Sequence, residues 1–295
     1  MDREGKVMHS EIISSMLERY KPESDYDRKN ALKEVLQEIA LVGLCKLGFF
    51  ENVAFYGGTA LRMFYGLDRF SEDLDFSLKS KHIPFRLEKI LPSLEREMNM
   101  FGLNVSIEAK DKKLSSPIKA AFVRGNAREY FMKFYKCDKI AKTDNIKIRL
   151  EVDITPPDYA GFEYRDMWTP FSNTCRILLY DEPSLFAGKV HAVLDRKWQN
   201  RLKGRDLYDY VFYLTKRQSK INLKHLLARL EASGFIAKSA SYTLEDVKEM
   251  LCEKFDGIDF SLAKEDVHAF IKDSSSLEHW NSSYFKNLTR ELKEK

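Results

Sequence analysis

Phe55-Tyr56-Gly57-Gly58-Thr59-Ala60-Leu61-Arg62-Met63-Phe64-Tyr65-Gly66-Leu67-Asp68-Arg69-Phe70-Ser71-Glu72-Asp73-Leu74-Asp75-Phe76-Ser77-Leu78 is the stretch on which the reading of this chain turns. A glycine pair follows a short apolar run and opens a helical spacing that Gly66 closes. An Asp-x-Asp then stands at the mouth of a second apolar run. Gly57 and Gly58 let the backbone turn sharply and come close to a ligand. N–H groups at the start of the Thr59 helix can hold an anion, with the Thr59 hydroxyl as a further donor. A glycine pair between strand and helix also serves simply as a turn. Asp73 and Asp75 sit two apart on a strand, so both carboxylates share one face while Leu74 and Phe76 enter the core. Two carboxylates on a buried sheet face are costly unless they carry a cation; at a solvated strand edge they are unremarkable.

Further acids come from the clearest strand pattern in the chain. Ile146, Ile148, Leu150, Val152 and Ile154 alternate with Lys147, Arg149, Glu151, Asp153 and Thr155 before Pro156-Pro157 stops the run. Glu151 and Asp153 therefore lie on a polar strand face. Three acids on adjacent strands can hold two magnesium ions ~4 Å apart, the arrangement used for in-line phosphoryl and nucleotidyl transfer.

Helical spacing marks 9–20, 28–47, 59–65 and 83–100, and strands are expected at 53–56, 74–78, 104–109, 118–124, 146–155 and 174–180. The 125–145 region is ambiguous, with Tyr130–Tyr135 open to a strand reading and a polar turn expected at Lys142–Asn145. From Pro183 onward no convincing strand pattern occurs, and helices are expected at 184–198, 205–216, 222–231, 243–255, 262–271 and 284–294. The shift near Tyr180 divides a mixed α/β domain, 1–180, from a helical domain, 181–295.

The 295 residues, 44% hydrophobic and 32% charged, describe a globular chain able to bury a core. Net charge is only +4, yet Lys110–Arg149 holds 12 Lys/Arg against 4 Asp/Glu and Lys189–Arg205 holds 6 against 1. Such blocks suit a polyanionic partner or a solvated surface. Cys45, Cys137, Cys175 and Cys252 are too scattered for a zinc site or a disulfide scaffold. The N-terminus has no apolar signal core. The longest apolar stretch, 39–50, is interrupted by Lys46 and is too short for a bilayer, so no membrane association and a cytoplasmic location are expected.

The density of Gly57-Gly58-Thr59-Ala60-Leu61, Gly66, Arg69, Ser71, Asp73, Asp75 and Phe76 resembles the signature of the AbiEii-type nucleotidyltransferases. These are toxins of bacterial type IV toxin–antitoxin and abortive-infection systems within the polymerase-β superfamily. The match is close over 55–78 and looser over 186–214, where the family carries a lysine on one helix and Arg-Asp-x-x-Asp on the next. Lys189 and Arg205-Asp206-Leu207-Tyr208-Asp209 occupy those places. The resemblance implies an NTP substrate, Mg²⁺ or Mn²⁺, and transfer of a nucleoside monophosphate to an acceptor. It makes Asp73 and Asp75 the principal metal ligands. The third carboxylate is a single acid after an apolar residue on a later strand; Glu151, better centred in its apolar run, is favoured, with Asp153 as the alternate. The fold implied is α/β (α+β): a mixed-sheet nucleotidyltransferase domain followed by a helical bundle.

Lys189, on a helix opened by Asp181-Glu182-Pro183, reads either as a ligand for the β- or γ-phosphate or as a lysine snorkelling past an apolar face; the resemblance favours the first. Asp206 and Asp209, three apart, share one side of a helix. Asp206 is read as a helix N-terminal charge. Asp209 either pairs with a nearby arginine or serves the site, as a base or by positioning Lys189. Arg69 meets a phosphate or a neighbouring acid, and Ser71 is grouped with Gly57, Gly58, Thr59, Arg69 and Lys189 as nucleotide-binding.

Phe122, Tyr130, Phe131, Phe134 and Tyr135 are interleaved with the cations of the first basic block, and Trp198 with those around Lys197–Lys203. Rings and charges mixed in this way suit single-stranded nucleic acid. With the resemblance they point to RNA, the 3′ end of tRNA, as acceptor, and to a growth-arresting toxin restrained by a cognate antitoxin. The alternatives are a small-molecule transferase of the antibiotic-modifying type, a protein nucleotidyltransferase, and a non-catalytic nucleotide- or RNA-binding module.

Overall fold

The alternating run around Ile148 lies inside a seven-stranded sheet. The computed structural model describes residues 3–110, 116–137, 145–170, 174–198, 203–238 and 241–295. These fall into two units, one of Met1–Thr59, Ser71–Pro156 and Tyr164–Leu179, the other of Ala60–Phe70, Pro157–Glu163 and Tyr180–Lys295. The stretches 60–70 and 157–163 thus group with the C-terminal residues. The polar turn expected at Lys142–Asn145 and the block Lys197–Lys203 lie largely outside the described residues.

In the first unit, helices α1 (Arg3–Glu18) and α2 (Asp25–Lys46) precede strand β1 (Val53–Tyr56) and the start of helix α3 (Gly57–Tyr65). Strand β2 (Leu74–Leu78), helix α4 (Leu91–Met100), strands β3 (Val105–Ala109) and β4 (Ile118–Asn126), the short helix α5 (Ala127–Tyr130) and strand β5 (Asn145–Asp153) follow. Strands β6 (Phe162–Trp168) and β7 (Thr174–Tyr180) close the sheet, whose order is β3-β4-β5-β2-β1-β7-β6. β2 runs antiparallel to β1 and parallel to β5, which gives the sheet its mixed character.

Period-2 alternation sends Leu74, Phe76, Ile146, Ile148, Leu150 and Val152 into the core, all fully buried. Helix α2 is buried along most of its length, from Asn30 to Leu44, and takes the polar Asn30, Glu34 and Gln37 into the interior beside its apolar residues. It starts where Ser24 and Asp27 form a capping box.

Three local expectations are corrected. The helix expected over 83–100 starts at Leu91, with Pro92 in its first turn; Pro84 and Pro92 confine the preceding residues to turns and a single 3₁₀ turn, Leu87–Lys89. Tyr130–Tyr135 is not a strand. Asn126 accepts from the Glu129 N–H and starts α5, which widens into one π turn, Phe131–Tyr135, ended by Lys136 at φ 52°. Strand β6 was not expected, because its polar residues and exposed Trp168 give no apolar run; it is the edge of the sheet, where one-sided burial suffices.

In the second unit, α6 (Glu182–Asp195), α7 (Gly204–Phe212), α8 (Leu223–Ser233), α9 (Leu244–Asp256), α10 (Phe260–His268) and α11 (Ser282–Thr289) surround an aromatic core of Tyr210, Phe255, Phe260 and Phe285. Two strands absent from the sequence reading, β8 (Lys220–Ile221) and β9 (Lys293–Glu294), pair in parallel. Two residues are too few to show a period, and β9 shortens the helix expected to reach 294. Asp181 caps α6 by accepting from the Ser184 N–H at 3.0 Å, with Pro183 in the first turn.

Candidate active site

Gly57 holds φ +82°, and a Cβ there would collide with the Asp75 carboxylate and lie 3.1 Å from Asp75 Cβ and Cγ. Both the backbone and the neighbour therefore require glycine. The turn at the end of β1 closes directly onto the second carboxylate, because Tyr56 and Asp75 are register partners.

The first carboxylate is positioned through its main chain. The Thr59 hydroxyl, buried at 1% exposure, lies 2.5 Å from the Asp73 carbonyl and 2.9 Å from the Ser71 hydroxyl. It donates to the carbonyl and accepts from Ser71, while Gln37 donates to the Ser71 carbonyl at 3.2 Å. Thr59 and Ser71 thus tie the first turn of α3 to the backbone entering β2.

Across the parallel β2–β5 pair, Asp75 stands opposite Glu151 and Ser77 opposite Asp153. All four side chains leave the sheet on one face, opposite the buried Leu74, Phe76, Leu150 and Val152. Asp153 is two residues farther from Asp73 and accepts from the Thr155 N–H at 2.9 Å, capping the turn after β5. Glu151 carries an ion pair with Arg149 Nη2 at 2.5 Å. Arg149 is a neighbour that the sequence reading did not connect to the acids, although i, i+2 spacing on one strand face was its signal.

Among the described residues no three His, Cys, Asp or Glu side chains converge tightly enough to hold a metal ion as they stand. The donor chemistry nevertheless fits a hard divalent cation. All candidate ligands are carboxylate oxygens, Asp75 and Glu151 face each other across one strand spacing, and Gly57 leaves beside Asp75 the room that a side chain would fill.

The second unit gathers a buried charge cluster. Lys189, on α6, places Nζ 2.9 Å from Asp206 Oδ1 and 2.6 Å from Asp209 Oδ2. Asp206 and Asp209, one turn apart on α7, both reach it, as their spacing requires. Asp209 is fully buried and also accepts from Arg69, Nε at 2.6 Å and Nη2 at 2.7 Å, a bidentate pair. Arg196 pairs with Asp206 Oδ2 at 2.5 Å. Gly204 lets α7 approach α10, since a Cβ would collide with the Ala263 carbonyl. No neighbour crowds Gly188, where a Cβ would meet nothing within 4 Å.

Burial opposes charge on Asp206, Lys189 and Arg69, and their partners outweigh it. Asp206 is held at about 2 by Lys189 and Arg196 despite desolvation. Lys189 is desolvated as well, yet Asp206 and Asp209 raise its pKa, and Arg69 is raised against burial by Asp209. These three stay charged over the physiological range. Of the readings of Asp209 as arginine partner, as base and as positioner of Lys189, the geometry contains the contacts of the first and the third. Asp206 is not merely a helix-end charge: it is the second ligand of Lys189. Arg69 meets an acid.

Half of the aromatics that the sequence interleaves with cations are buried in packing. Tyr130 and Phe131 are buried, and Trp198 is buried with its indole N–H donated to the Val193 carbonyl at 2.9 Å. Phe122 on the sheet, and Phe134 and Tyr135 in the π turn, are only partly buried.

A model of the family described as nucleotidyl transferase AbiEii toxin, type IV TA system, matches residues 39–284. Among solved structures, MenT4, a nucleotidyltransferase toxin from Mycobacterium tuberculosis, is 14% identical over 94% of this chain and 87% of its own, with a TM-score of 0.50. JHP933 from Helicobacter pylori is 17% identical over 89% and 88%, with a TM-score of 0.44. A nucleotidyltransferase described as putative, also from H. pylori, is 18% identical over 87% and 89%, with a TM-score of 0.46. No curated protein sequence matches the chain. Among the described residues no helix is long and apolar enough to cross a membrane.

Proposed function

Because the chain belongs to the AbiEii family of nucleotidyltransferase toxins of type IV toxin–antitoxin systems, we propose that it transfers a nucleoside monophosphate from an NTP to the 3′ end of tRNA. It is a nucleotidyltransferase, and its family implies an NTP substrate and an antitoxin partner. The metal and the residue roles rest on a single observation, that Asp75 stands opposite Glu151 on parallel strands while Gly57 closes on Asp75; the tRNA acceptor rests on the family resemblance and the basic blocks.

On this reading Asp73, Asp75 and Glu151 would hold Mg²⁺ or Mn²⁺, with Asp153 as the alternate third acid. A divalent ion held there would supply charge neutralisation at the triphosphate and Lewis acidity toward the attacking hydroxyl. Gly57 and Gly58 leave the backbone N–H groups at the start of α3 open to phosphate oxygens. Thr59 and Ser71 act through the Asp73 main chain, fixing where that carboxylate emerges. Lys189 presents a positive charge to the β- or γ-phosphate, and Asp206 and Asp209 keep it protonated and aimed. Arg69 in turn holds Asp209. The acceptor hydroxyl oxygen bonds to the α-phosphorus as the bond to the α,β-bridging oxygen breaks; pyrophosphate leaves, and the hydroxyl proton passes to solvent. Modification of tRNA ends would arrest growth in the cytoplasm until a cognate antitoxin restrains the enzyme.

The test is incubation of purified protein with each of four labelled NTPs, total tRNA and Mg²⁺. Label is expected on tRNA. Label confined to protein or to small molecules would overturn the tRNA acceptor, and undiminished labelling by Asp73→Ala protein would overturn the carboxylate assignment.

A further inference from the structure

Strand β5 carries more than Glu151 on its open face. Stepping back along it by two, the same face presents Arg149, Lys147 and Asn145. On the neighbouring β4 the register sets Ala120 opposite Glu151, Phe122 opposite Arg149, Arg124 opposite Lys147 and Asn126 opposite Asn145. Phe122 is therefore one strand step from the carboxylate, roughly 7–8 Å along the diagonal.

Three cations gather on that ring. Lys147 Nζ lies 3.7 Å from the Phe122 centroid, Lys110 Nζ 5.7 Å and the Arg124 guanidinium 5.8 Å. An acid in this group is Glu108, paired with Arg124 at 2.9 Å and itself exposed. Like charges drawn onto one half-exposed ring repel each other, and a phosphate placed among them relieves that repulsion. Beyond Lys147 the row ends in a cavity of about 310 Å³ lined by Asn104, Ser106, Arg124, Asn126 and Asn145, side chains that offer donors and acceptors to a base edge.

We propose that this row is the docking track for the single-stranded 3′ segment of the acceptor RNA, running from the polar cavity over Phe122 to the carboxylates. Phe122 stacks a base, as aromatic platforms do for single strands. Lys110, Arg124 and Lys147 take the flanking phosphates, with Lys147 leaving the ring face that the base occupies. The proposal rests on the RNA-acceptor reading and adds to it the surface that binds the strand. It also explains why Tyr130 and Phe131, in the same basic block, do not contribute: they are core.

The experiment measures binding of the full chain to a fluorescein-labelled 12-nucleotide single-stranded RNA across a salt series, and KM for total tRNA and for NTP in the labelling reaction. The combined Lys110→Ala, Arg124→Ala and Lys147→Ala variant is expected to lower the slope of log K against log salt by about 2, from roughly 0.7 per lost phosphate contact. Phe122→Leu is expected to weaken binding roughly 5- to 100-fold with the slope unchanged, and Phe122→Tyr to restore it. Both effects should appear in KM for tRNA and not in KM for NTP. Wild-type protein that labels tRNA while these variants keep its affinity and slope would overturn the track and leave the function standing. Wild-type protein that labels no RNA while releasing pyrophosphate onto another acceptor would overturn the RNA reading itself.

Discussion

Gly57 couples conformation and chemistry at one atom's scale. Alanine there would need φ +82° and would push on Asp75. Gly57→Ala is therefore expected to cost about 1 kcal/mol or more in the backbone and roughly 100-fold in kcat through displacement of the carboxylate, read from unfolding curves and single-turnover labelling. Asp209 is the matching residue of the charge cluster. Asp209→Ala leaves the buried Arg69 without its bidentate partner and the partly exposed Lys189 with one acid fewer, so a loss of about 3–5 kcal/mol is expected in thermal or denaturant unfolding. Asp206 makes the cluster sensitive to acid. Its folded pKa of about 2 lies below its ordinary value of 3.8, so its stabilisation is present above pH ~4 and disappears as pH falls towards 2. That term is about 2 kcal/mol, and Asp206→Asn should flatten the stability–pH profile between pH 4 and 2; a profile identical to wild type would refute it.

Elements carry these residues by their contacts more than by their propensities. Helix α7 brings Asp206 and Asp209 to Lys189 because Gly204 lets its first turn rest on α10. Gly204→Ala should force the two helices apart, with a loss of about 1–3 kcal/mol and weaker holding of Lys189. A variant of unchanged melting temperature would show that α7 is set by something else. At β2, the Thr59 hydroxyl joins the start of α3 to the Asp73 main chain. Thr59→Val keeps the shape and removes the donor, so about 1 kcal/mol of stability should go together with a larger share of kcat. A fall in stability alone would make Thr59 merely structural.

At the scale of the whole protein, one unit carries the carboxylate-bearing sheet and the other the cluster around Lys189, in a chain of the AbiEii nucleotidyltransferase family. Expression of wild-type protein in a bacterial host is expected to stop growth. Asp75→Ala protein, accumulated to the same level, should not. Growth arrest by both would detach toxicity from the carboxylates.

The local order of the site was legible because it is written in short-range chemistry. Gly-Gly-Thr followed by Asp-x-Asp needs only a turn and a period of two to be read, and the alternation at Ile146–Val152 marks the strand that carries Glu151. Pairing between distant segments has no such local code. Only the tertiary structure decided that Asp75 and Glu151 share a register while Asp153 caps a turn, that Arg149 occupies Glu151, and that Arg69 turns to Asp209. The same holds for the aromatics of the basic block: composition cannot tell a ring that packs, such as Tyr130, from one left open, such as Phe122, because burial depends on what the rest of the chain lays against each. Sequence determined which groups the protein owns and the face each one takes; folding determined their partners, since a carboxylate's partner is set by which strand or helix arrives beside it.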